Sequence, residues 1–325
     1  MIGVLSLSFV AASVIGFRYT NSVVRAFYSV SAAWLGFVNF LLCACVLCWI
    51  LFSLLWLMGW HNVGRPIVGG FFGSAILLGL YGIANAARPR LNRISVQLPN
   101  LPESWRGRTA ALVSDLHLGH VRSFGFSRRV VAMLAELKAD VIFIAGDLYD
   151  GLATDVNGLA GTWSSLKAPF GVFFVAGNHE EFGNPSKYFA AIPRAGIRVL
   201  NNEWVSVDGL QIIGVDYRAS VHSDSFASVL QNARLDPSRA SILLSHSPHQ
   251  LKIPERAGIS LQLSGHTHHG QIIPAMWIVD RIFGPYAYGL HRFRNMMVYT
   301  SCGVGTWGPP MRVGTDPEIV LITFQ

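Results

Sequence analysis

The chain has 325 residues, of which 51% are hydrophobic and 13% charged, so it is too apolar to be an ordinary soluble domain. A formal net charge of +7 suits anionic lipid, an anionic substrate or nucleic acid. Because Arg88, Arg90 and Arg93 follow the last long apolar run, we interpret the excess as a membrane-topology signal and do not expect nucleic acid as a partner. The four cysteines have neither a disulfide-framework nor a zinc-finger spacing.

Residues 1–87 carry few charges and predict an all-α transmembrane anchor with helices at about residues 2–17, 32–60 and 67–87. The first run also resembles a signal peptide in length. We prefer an anchor, because the run lacks a basic leading region and a convincing small-residue cleavage site. Residues 88–105, with Pro99 and Pro102, read as a linker that includes a short strand from Arg93 to Leu98.

Arginines between the predicted helices indicate the orientation. Arg18 and Arg25 lie in the first loop, a further arginine cluster follows the third helix, and the second loop has Arg65 alone. Cationic loops stay on the cytoplasmic side of a membrane. We therefore expect a multi-pass protein of the cell (inner) membrane whose N-terminus is outside and whose C-terminal domain is cytoplasmic.

Residues 106–325 alternate short apolar runs with helical or turn-rich segments, which indicates an α/β fold with buried sheets. The predicted helices include Phe126 to Lys138 and Ser223 to Arg234. Two late strands, Met297 to Thr300 and Glu318 to Phe324, are expected to complete a second sheet. The earlier predicted strands are Ala110 to Ser114, Val141 to Ala145, Gly171 to Ala176, Leu210 to Val215, Ser241 to Leu244 and Leu261 to Ser264.

Five polar motifs follow these apolar runs, where a buried strand would end and present ligands at a sheet edge. Any one of them is weak evidence, since a histidine after an apolar run is more often a structural residue than a ligand. All five in series predict a metal site. They are Asp115-Leu-His117, Gly146-Asp147-Leu-Tyr-Asp150, Gly177-Asn178-His179-Glu180, Ser245-His246-Ser247 and Gly265-His266-Thr-His268-His269-Gly270.

The residue types divide into ligands and a proton carrier. Asp115 and His117 are two positions apart, so on an extended segment both side chains point the same way. Asp147 offers two carboxylate oxygens with which to bridge two ions. Asn178 offers a neutral amide oxygen, and the adjacent His179 offers a titratable group for acid catalysis. The remaining imidazoles come from His246, His266 and His268.

Taken together, these motifs resemble the calcineurin-like metallophosphoesterase superfamily over residues 109–325. The His-Thr-His-His-Gly-Gln-Ile sequence, the later Gly-Val-Gly-Thr segment and the preceding anchor look like its membrane-associated bacterial branch, which includes UDP-2,3-diacylglucosamine hydrolase-like proteins. The resemblance implies two facing mixed sheets flanked by helices, with the site at the strand ends.

The same resemblance implies the roles of individual residues. Asp147 would bridge the two ions, His179 would be catalytic, and Asp150 would orient His179, although an exposed turn aspartate is an equal alternative for Asp150. One ion would be held by Asp115, His117, Asp147 and His268, and the other by Asp147, Asn178, His246 and His266.

Two divalent ions at such a site activate water and neutralise phosphoryl charge. Mixed nitrogen and oxygen ligands suit manganese, iron, zinc or cobalt, and we favour manganese. The expected function is a membrane-anchored phosphoesterase that hydrolyses a phosphodiester or pyrophosphate bond. Its substrate would be a phosphate ester. A lipid-linked ester is attractive, because tethering confines enzyme and substrate to one surface. Membrane lipids are the other expected partners. The alternatives are a phosphomonoesterase of the protein phosphatase type and a non-catalytic membrane scaffold.

Two further segments and Arg312 each have more than one interpretation. Gly303-Val-Gly-Thr-Trp-Gly308 matches a dinucleotide-binding fingerprint, but Pro309 and Pro310 disfavour the required helix, so we predict a glycine-rich turn beside the metal site. Residues 277–294 mix aromatic residues with arginines, which fits either a membrane-contacting segment or an ordinary surface loop. Arg312 is either a contact for substrate phosphate or a structural cation.

Overall fold

The computed structural model describes residues 2–62, 64–182 and 185–325. Short 3₁₀ turns lie at Glu103–Trp105, His179–Glu181, His268–Gly270 and Gly284–Ala287. The α-helices are α1 (Ile2–Gly16), α2 (Ser22–Leu57), α3 (Gly64–Ala86), α4 (Phe124–Leu137), α5 (Val156–Gly161), α6 (Pro185–Arg194), α7 (Tyr217–Ser220), α8 (Ser223–Asn232), α9 (Lys252–Arg256) and α10 (Ala275–Phe283).

The strands of the described ranges form two six-stranded sheets. Strand order in the first sheet is β1-β12-β2-β3-β4-β5, and in the second it is β10-β11-β9-β8-β7-β6. The strands are β1 (Arg90–Val96), β2 (Thr109–Val113), β3 (Val141–Ala145), β4 (Val172–Val175), β5 (Arg198–Val199), β6 (Glu203–Val207), β7 (Leu210–Val215), β8 (Ser241–Ser245), β9 (Leu261–Ser264), β10 (Gly289–Phe293), β11 (Met296–Thr300) and β12 (Glu318–Phe324).

Parallel pairing places the carboxyl ends of the central strands at one edge of each sheet. Strands β2 to β5 are parallel to one another, as are β7, β8, β9 and β11. The central strand β3 is buried along its whole length, which explains its unbroken apolar sequence. The antiparallel contact of β12 with β2 and of β10 with β11 makes both sheets mixed.

The two sheets face each other across an apolar core that includes Leu112, Phe143, Ile212 and Ile242. Side chains of α4, α5 and α6 cover the outer face of the first sheet. Those of α7, α8 and α9 cover the outer face of the second sheet. The predicted pair of facing mixed sheets with flanking helices is therefore confirmed.

The N-terminal region is helical and apolar, as predicted. Within the described ranges, α2 and α3 are long and apolar enough to cross a membrane. Helix α1 has 15 residues, which makes it about 22 Å long against about 30 Å of bilayer hydrocarbon, so its crossing stays a prediction. Helix α2 begins at Ser22, well before the predicted apolar run, because Asn21 caps it by accepting a hydrogen bond from the N–H of Val24.

These apolar helices pack directly against the α/β domain. Ala12 of α1 and Tyr28 of α2 are buried in one cluster with Leu152 of the domain. At the end of α3, the amide of Asn85 donates to the carbonyl oxygens of Arg312 and Thr315. Residues 88–105, which we expected to be a linker, contain β1, and β1 pairs along its full length with β12. The apolar helical region is therefore packed onto the α/β domain and linked to it through a paired strand.

Candidate metal centre

Every predicted ligand motif lies just beyond the carboxyl end of a parallel strand. In the first sheet, Asp115 follows β2, Asp147 follows β3 and Asn178 follows β4. In the second sheet, His246 follows β8 and His266 follows β9. Because the sheets are stacked with these ends on the same side, residues distant in sequence converge there.

Five of the predicted ligands have left-handed backbone conformations, which β-carbon sterics normally disfavour. The φ angles are 54° at Asp115, 49° at His117, 53° at Asp147, 72° at His266 and 47° at His268. Each such residue costs about 1–3 kcal/mol, and strain of this kind concentrates at functional sites. The sharp turn after each strand aims the following side chain toward the space between the two sheets.

Six of the predicted ligands lie in three pairs. In each pair, the facing nitrogen or oxygen atoms are separated by the distance expected for two ligands of the same metal ion. Nε2 of His117 lies 3.0 Å from Nε2 of His268. Oδ2 of Asp147 lies 3.1 Å from Nε2 of His246. A third pair joins Nδ1 of His266 to Oδ1 of Asn178, which are 3.0 Å apart. Two ligands about 2.1 Å from one ion and at right angles to each other would be about 3.0 Å apart, so each pair fits a metal ion.

Asp115 and Asp147 connect these pairs. Oδ1 of Asp115 lies 3.5 Å from Nε2 of His268 and 3.9 Å from Nε2 of His246. Oδ2 of Asp147, besides facing His246, lies 3.8 Å from Nε2 of His117. Each carboxylate therefore stands between the two predicted ligand sets, and the structure brings all seven predicted ligands together.

The tautomer of His246 supplies a test of whether a metal ion fits. Its Nδ1–H donates to the carbonyl oxygen of Ala145 at 2.7 Å, which leaves Nε2 to face Asp147. Among the described residues, this buried Nε2 lacks a well-aligned hydrogen-bond partner despite the nearby carboxylate. Once its proton is removed, Nε2 presents a lone pair toward the carboxylate oxygen, and a metal cation between the two atoms satisfies both.

The pKa values indicate where the site attracts positive charge. Burial lowers the pKa of His246, but Asp147 and Asp115 outweigh burial and raise it to about 10. Burial, reinforced by His246, lowers the pKa of His266 to about 3. Burial raises the pKa of Asp147, but His246 and His179 more than reverse this effect and hold it well below its usual range. The carboxylates thus favour a cation beside His246, either a proton or a metal ion.

His179 lies next to the ligands but is held differently. Its backbone N–H donates to Oδ1 of Asp147, and its Nδ1–H donates to the backbone carbonyl of Asp150, both at 2.9 Å. Its ring contacts the ring of His117 edge-on, with centroids 4.5 Å apart. Burial, reinforced by His117, lowers the pKa of His179. The hydrogen bond through Nδ1 therefore fixes the orientation of the His179 ring, and Nε2 takes no part in this bond.

The side chain of Asp150 has a different neighbour from the one we expected. Its Oδ1 lies 3.5 Å from Nδ1 of His117 and 4.0 Å from Nδ1 of His179. The Asp150 side chain is buried, so the alternative of an exposed turn aspartate does not describe it. It is the backbone carbonyl of Asp150 that accepts the hydrogen bond from Nδ1–H of His179.

Sequence reasoning gave no role to Glu180, the last residue of the Gly-Asn-His-Glu motif. This fully buried carboxylate accepts hydrogen bonds from the backbone N–H groups of Asp147, Tyr149 and Gly177, at 2.9 to 3.0 Å. Burial, together with the charge of Asp147, raises its pKa to about 7. Glu180 thus holds together the two turns that carry Asp147 and Asn178. The signal in the sequence that could have pointed to Glu180 was its position as an acidic residue next to the predicted site residues.

The glycine-rich turn at residues 303–308 lies beside the metal centre, as predicted. The N–H of Gly305 donates to the backbone carbonyl of Asp115 at 2.9 Å. A β-carbon on Gly303, where φ is +80°, would approach Cβ of Asp115 to 2.6 Å. Arg312 is fully buried behind this turn and donates to the carbonyl oxygens of Cys302, Gly303 and Gly305. Arg312 is therefore a structural cation.

Two aromatic residues that sequence reasoning missed border the centre. The ring of Tyr217 lies 5.4 Å from that of His266, and the largely exposed ring of Trp307 lies 6.0 Å from that of His179, measured between centroids. No motif marks Tyr217, which begins α7 at a position remote in sequence from the ligands. Trp307 belongs to the glycine-rich turn, and the motif gave its ring no role.

Comparison with known proteins identifies the family of this chain. A family model described as calcineurin-like phosphoesterase matches residues 109–270. The "transmembrane protein with metallophosphoesterase domain" of Danio rerio is 31% identical over 82% of this chain and 66% of its own length. An uncharacterized metallophosphoesterase of Helicobacter pylori J99 is 32% identical over 73% of this chain and 64% of its own length. The chain thus spans about two thirds of these two relatives.

A third relative is matched over nearly its whole length. This uncharacterized metallophosphoesterase of Aquifex aeolicus is 31% identical over 77% of this chain and 97% of its own length. The residues that the family model matches include all seven predicted ligands. The chain therefore belongs to the calcineurin-like phosphoesterase family.

Proposed function

We propose that the chain is a membrane-anchored, dinuclear phosphoesterase that hydrolyses a phosphodiester or pyrophosphate bond. The observation that carries this proposal is the set of three ligand pairs, each 3.0 to 3.1 Å apart, around the carboxylates of Asp115 and Asp147. In this proposal Asp147 is shared by both ions. The first ion takes Asp115, His117 and His268, and the second takes Asn178, His246 and His266.

When bound, two divalent ions lower the pKa of a coordinated water and neutralise charge on the phosphoryl oxygens. Manganese is our preferred ion, because the ligand set mixes carboxylate and amide oxygens with imidazoles. The chain itself contributes a proton carrier. With Nδ1–H of His179 fixed on the carbonyl of Asp150, Nε2 of His179 is the atom that exchanges a proton with the leaving oxygen.

The anchor supports a membrane-resident site of action. Helices α2 and α3 form a hairpin whose two ends nearest the α/β domain carry Arg25 and Arg88. By the positive-inside rule these ends and the domain lie in the cytoplasm, at the cell (inner) membrane. A phosphate ester linked to lipid is the substrate we favour, because shared confinement raises its effective concentration. Kinship with the UDP-2,3-diacylglucosamine hydrolase-like branch is part of the same proposal.

The test uses the full chain in detergent, with bis-p-nitrophenyl phosphate as the substrate and manganese as the added ion. We expect turnover that chelation abolishes and manganese restores, and that Asp147→Asn removes. His222→Ala is the matched control, because His222 is exposed and lies outside the site. Absence of turnover with manganese, iron, zinc and cobalt alike would favour the non-catalytic scaffold. Faster turnover of p-nitrophenyl phosphate than of the diester would favour a phosphomonoesterase.

A further inference from the structure

A groove of about 580 Å³ opens directly from the metal centre. His266 and His268 line its inner end, and Trp307 stands at its rim. One wall is the membrane helix α2, and the other is α10. The wall residues include Leu35, Val38 and Leu42 of α2, with Ala275 and Val279 of α10.

A second, almost wholly apolar cleft of about 490 Å³ adjoins the first. Leu42 lines both of them. Phe71 and Leu78 of α3, together with Trp277 of α10, form its other walls. Because they share Leu42, we treat the two adjoining spaces as one path from the ligand histidines to the surface of the helical hairpin. This path is about 18 Å long between Leu35 and Leu47, measured along α2.

The outer part of this path lies at the level where the hairpin leaves the α/β domain. Residues 28–40 of α2 include the side chains buried against the domain, whereas most large apolar side chains from 42 to 57 are exposed. Beside them, α10 exposes Trp277, Ile278 and Ile282, at 69%, 62% and 65%. An exposed apolar helix face with tryptophan next to a membrane span fits the interfacial layer of a bilayer.

We propose that this path, the α2–α10 groove, binds the hydrocarbon chain of a membrane-resident phosphate ester whose phosphate lies at the metal centre. The inference rests on the proposed function and names the substrate class. The occupant follows from the two ends of the path, since one end presents phosphate-binding chemistry and the other opens on lipid-facing helices. The hydrocarbon chain of the substrate moves from lipid to another apolar surface. The groove therefore orients the substrate more than it adds affinity.

The first experiment measures occupancy without turnover. The manganese-loaded full chain, in detergent micelles, is irradiated with a dodecylphosphonate that carries a diazirine at the chain end. We expect labelling within residues 40–47, 71–78 and 273–277, the segments that line the outer cleft, and competition by unlabelled dodecylphosphonate. Leu42→Trp, which fills the junction, should reduce the competed labelling severalfold. Ile50→Trp is the matched control, because Ile50 is exposed on the same helix.

The second experiment compares methyl and dodecyl p-nitrophenyl phosphate. We expect kcat/KM to favour the dodecyl ester, and the dodecyl-to-methyl ratio to fall at least tenfold in Leu42→Trp but not in Ile50→Trp. Equal ratios in the two variants, or labelling that neither the competitor nor Leu42→Trp reduces, would overturn the groove assignment. If neither ester is hydrolysed while competed labelling of these segments persists, the groove stands and the proposed function fails.

Discussion

An oxygen of the Asp150 carboxylate lies 3.5 Å from Nδ1 of His117, on the side of the imidazole opposite to its metal-facing Nε2. A carboxylate behind a metal-bound imidazole fixes its tautomer and raises its basicity. His179 depends instead on the backbone carbonyl of Asp150, which a side-chain substitution leaves in place. We therefore infer that Asp150 positions His117 in the proposed metal centre.

We predict that Asp150→Asn weakens manganese binding about 10–100-fold, while kcat recovers at saturating manganese. Titration of activity against free manganese, in the variant and the parent, measures this effect. The removed charge acts on His117, so the defect should appear in affinity. A kcat that stays low at saturating metal would instead assign the Asp150 side chain to proton transfer through His179.

His179→Ala should lower kcat by about 10²–10⁴-fold with little change in manganese affinity. If Nε2 of His179 protonates the leaving oxygen, the loss must grow as the leaving group becomes more basic. A series of substituted phenyl phosphodiesters measures this dependence. An equal loss for p-nitrophenol and phenol leaving groups would contradict proton donation and leave His179 a binding role.

Manganese affinity should rise with pH. The pKa of His246, which Asp147 and Asp115 raise to about 10 against the effect of burial, keeps this imidazole protonated at neutral pH before metal binds. Coordination through Nε2 then displaces that proton. Burial lowers the pKa of His117, but Asp150, Asp147 and Asp115 outweigh burial and raise it as well, so Kd falls at least about tenfold per pH unit between about pH 6 and pH 8. Calorimetry in buffers of different ionisation enthalpy counts the released protons. An affinity that is independent of pH in this range would contradict the prediction.

The strand-end motifs could be predicted because they depend on local rules. An apolar run such as Val141–Ala145 predicts a buried strand, and a ligand directly after it must lie at the sheet edge. Strand β6 was missed, because Glu203 and Trp204 are both exposed on an edge strand. The sequence there does not carry the clean alternation that marks a half-buried strand.

The features that the sequence did not reveal depend on tertiary contacts. Helix α10 includes the first part of the aromatic and cationic segment at residues 277–294. Its exposed apolar face can be interpreted only once its position beside α2 and α3 is known. Likewise, the orientation of the Asp150 side chain depends on its contact with His117, which is distant in sequence. Hydrophobic periodicity reports which face of an element is buried but not which neighbour covers it.

The glycine turn supplies a steric prediction at the metal centre. A β-carbon on Gly305 would overlap the backbone carbonyl oxygens of Asp115 and Leu116, which cannot move without displacing the Asp115 side chain. We predict that Gly305→Ala lowers manganese affinity at least tenfold. Gly125→Ala is the control, because a β-carbon there meets open space among the described residues and should slightly favour α4.

Both variants are measured by manganese titration and by thermal unfolding with and without the ion. Displacement of Asp115 predicts that Gly305→Ala loses most of the thermal stabilisation that manganese gives the parent chain, because stabilisation by a ligand scales with its affinity. Gly125→Ala should keep that stabilisation in full. If Gly305→Ala also keeps it, the turn tolerates the extra carbon and the contact with Asp115 does not position this ligand.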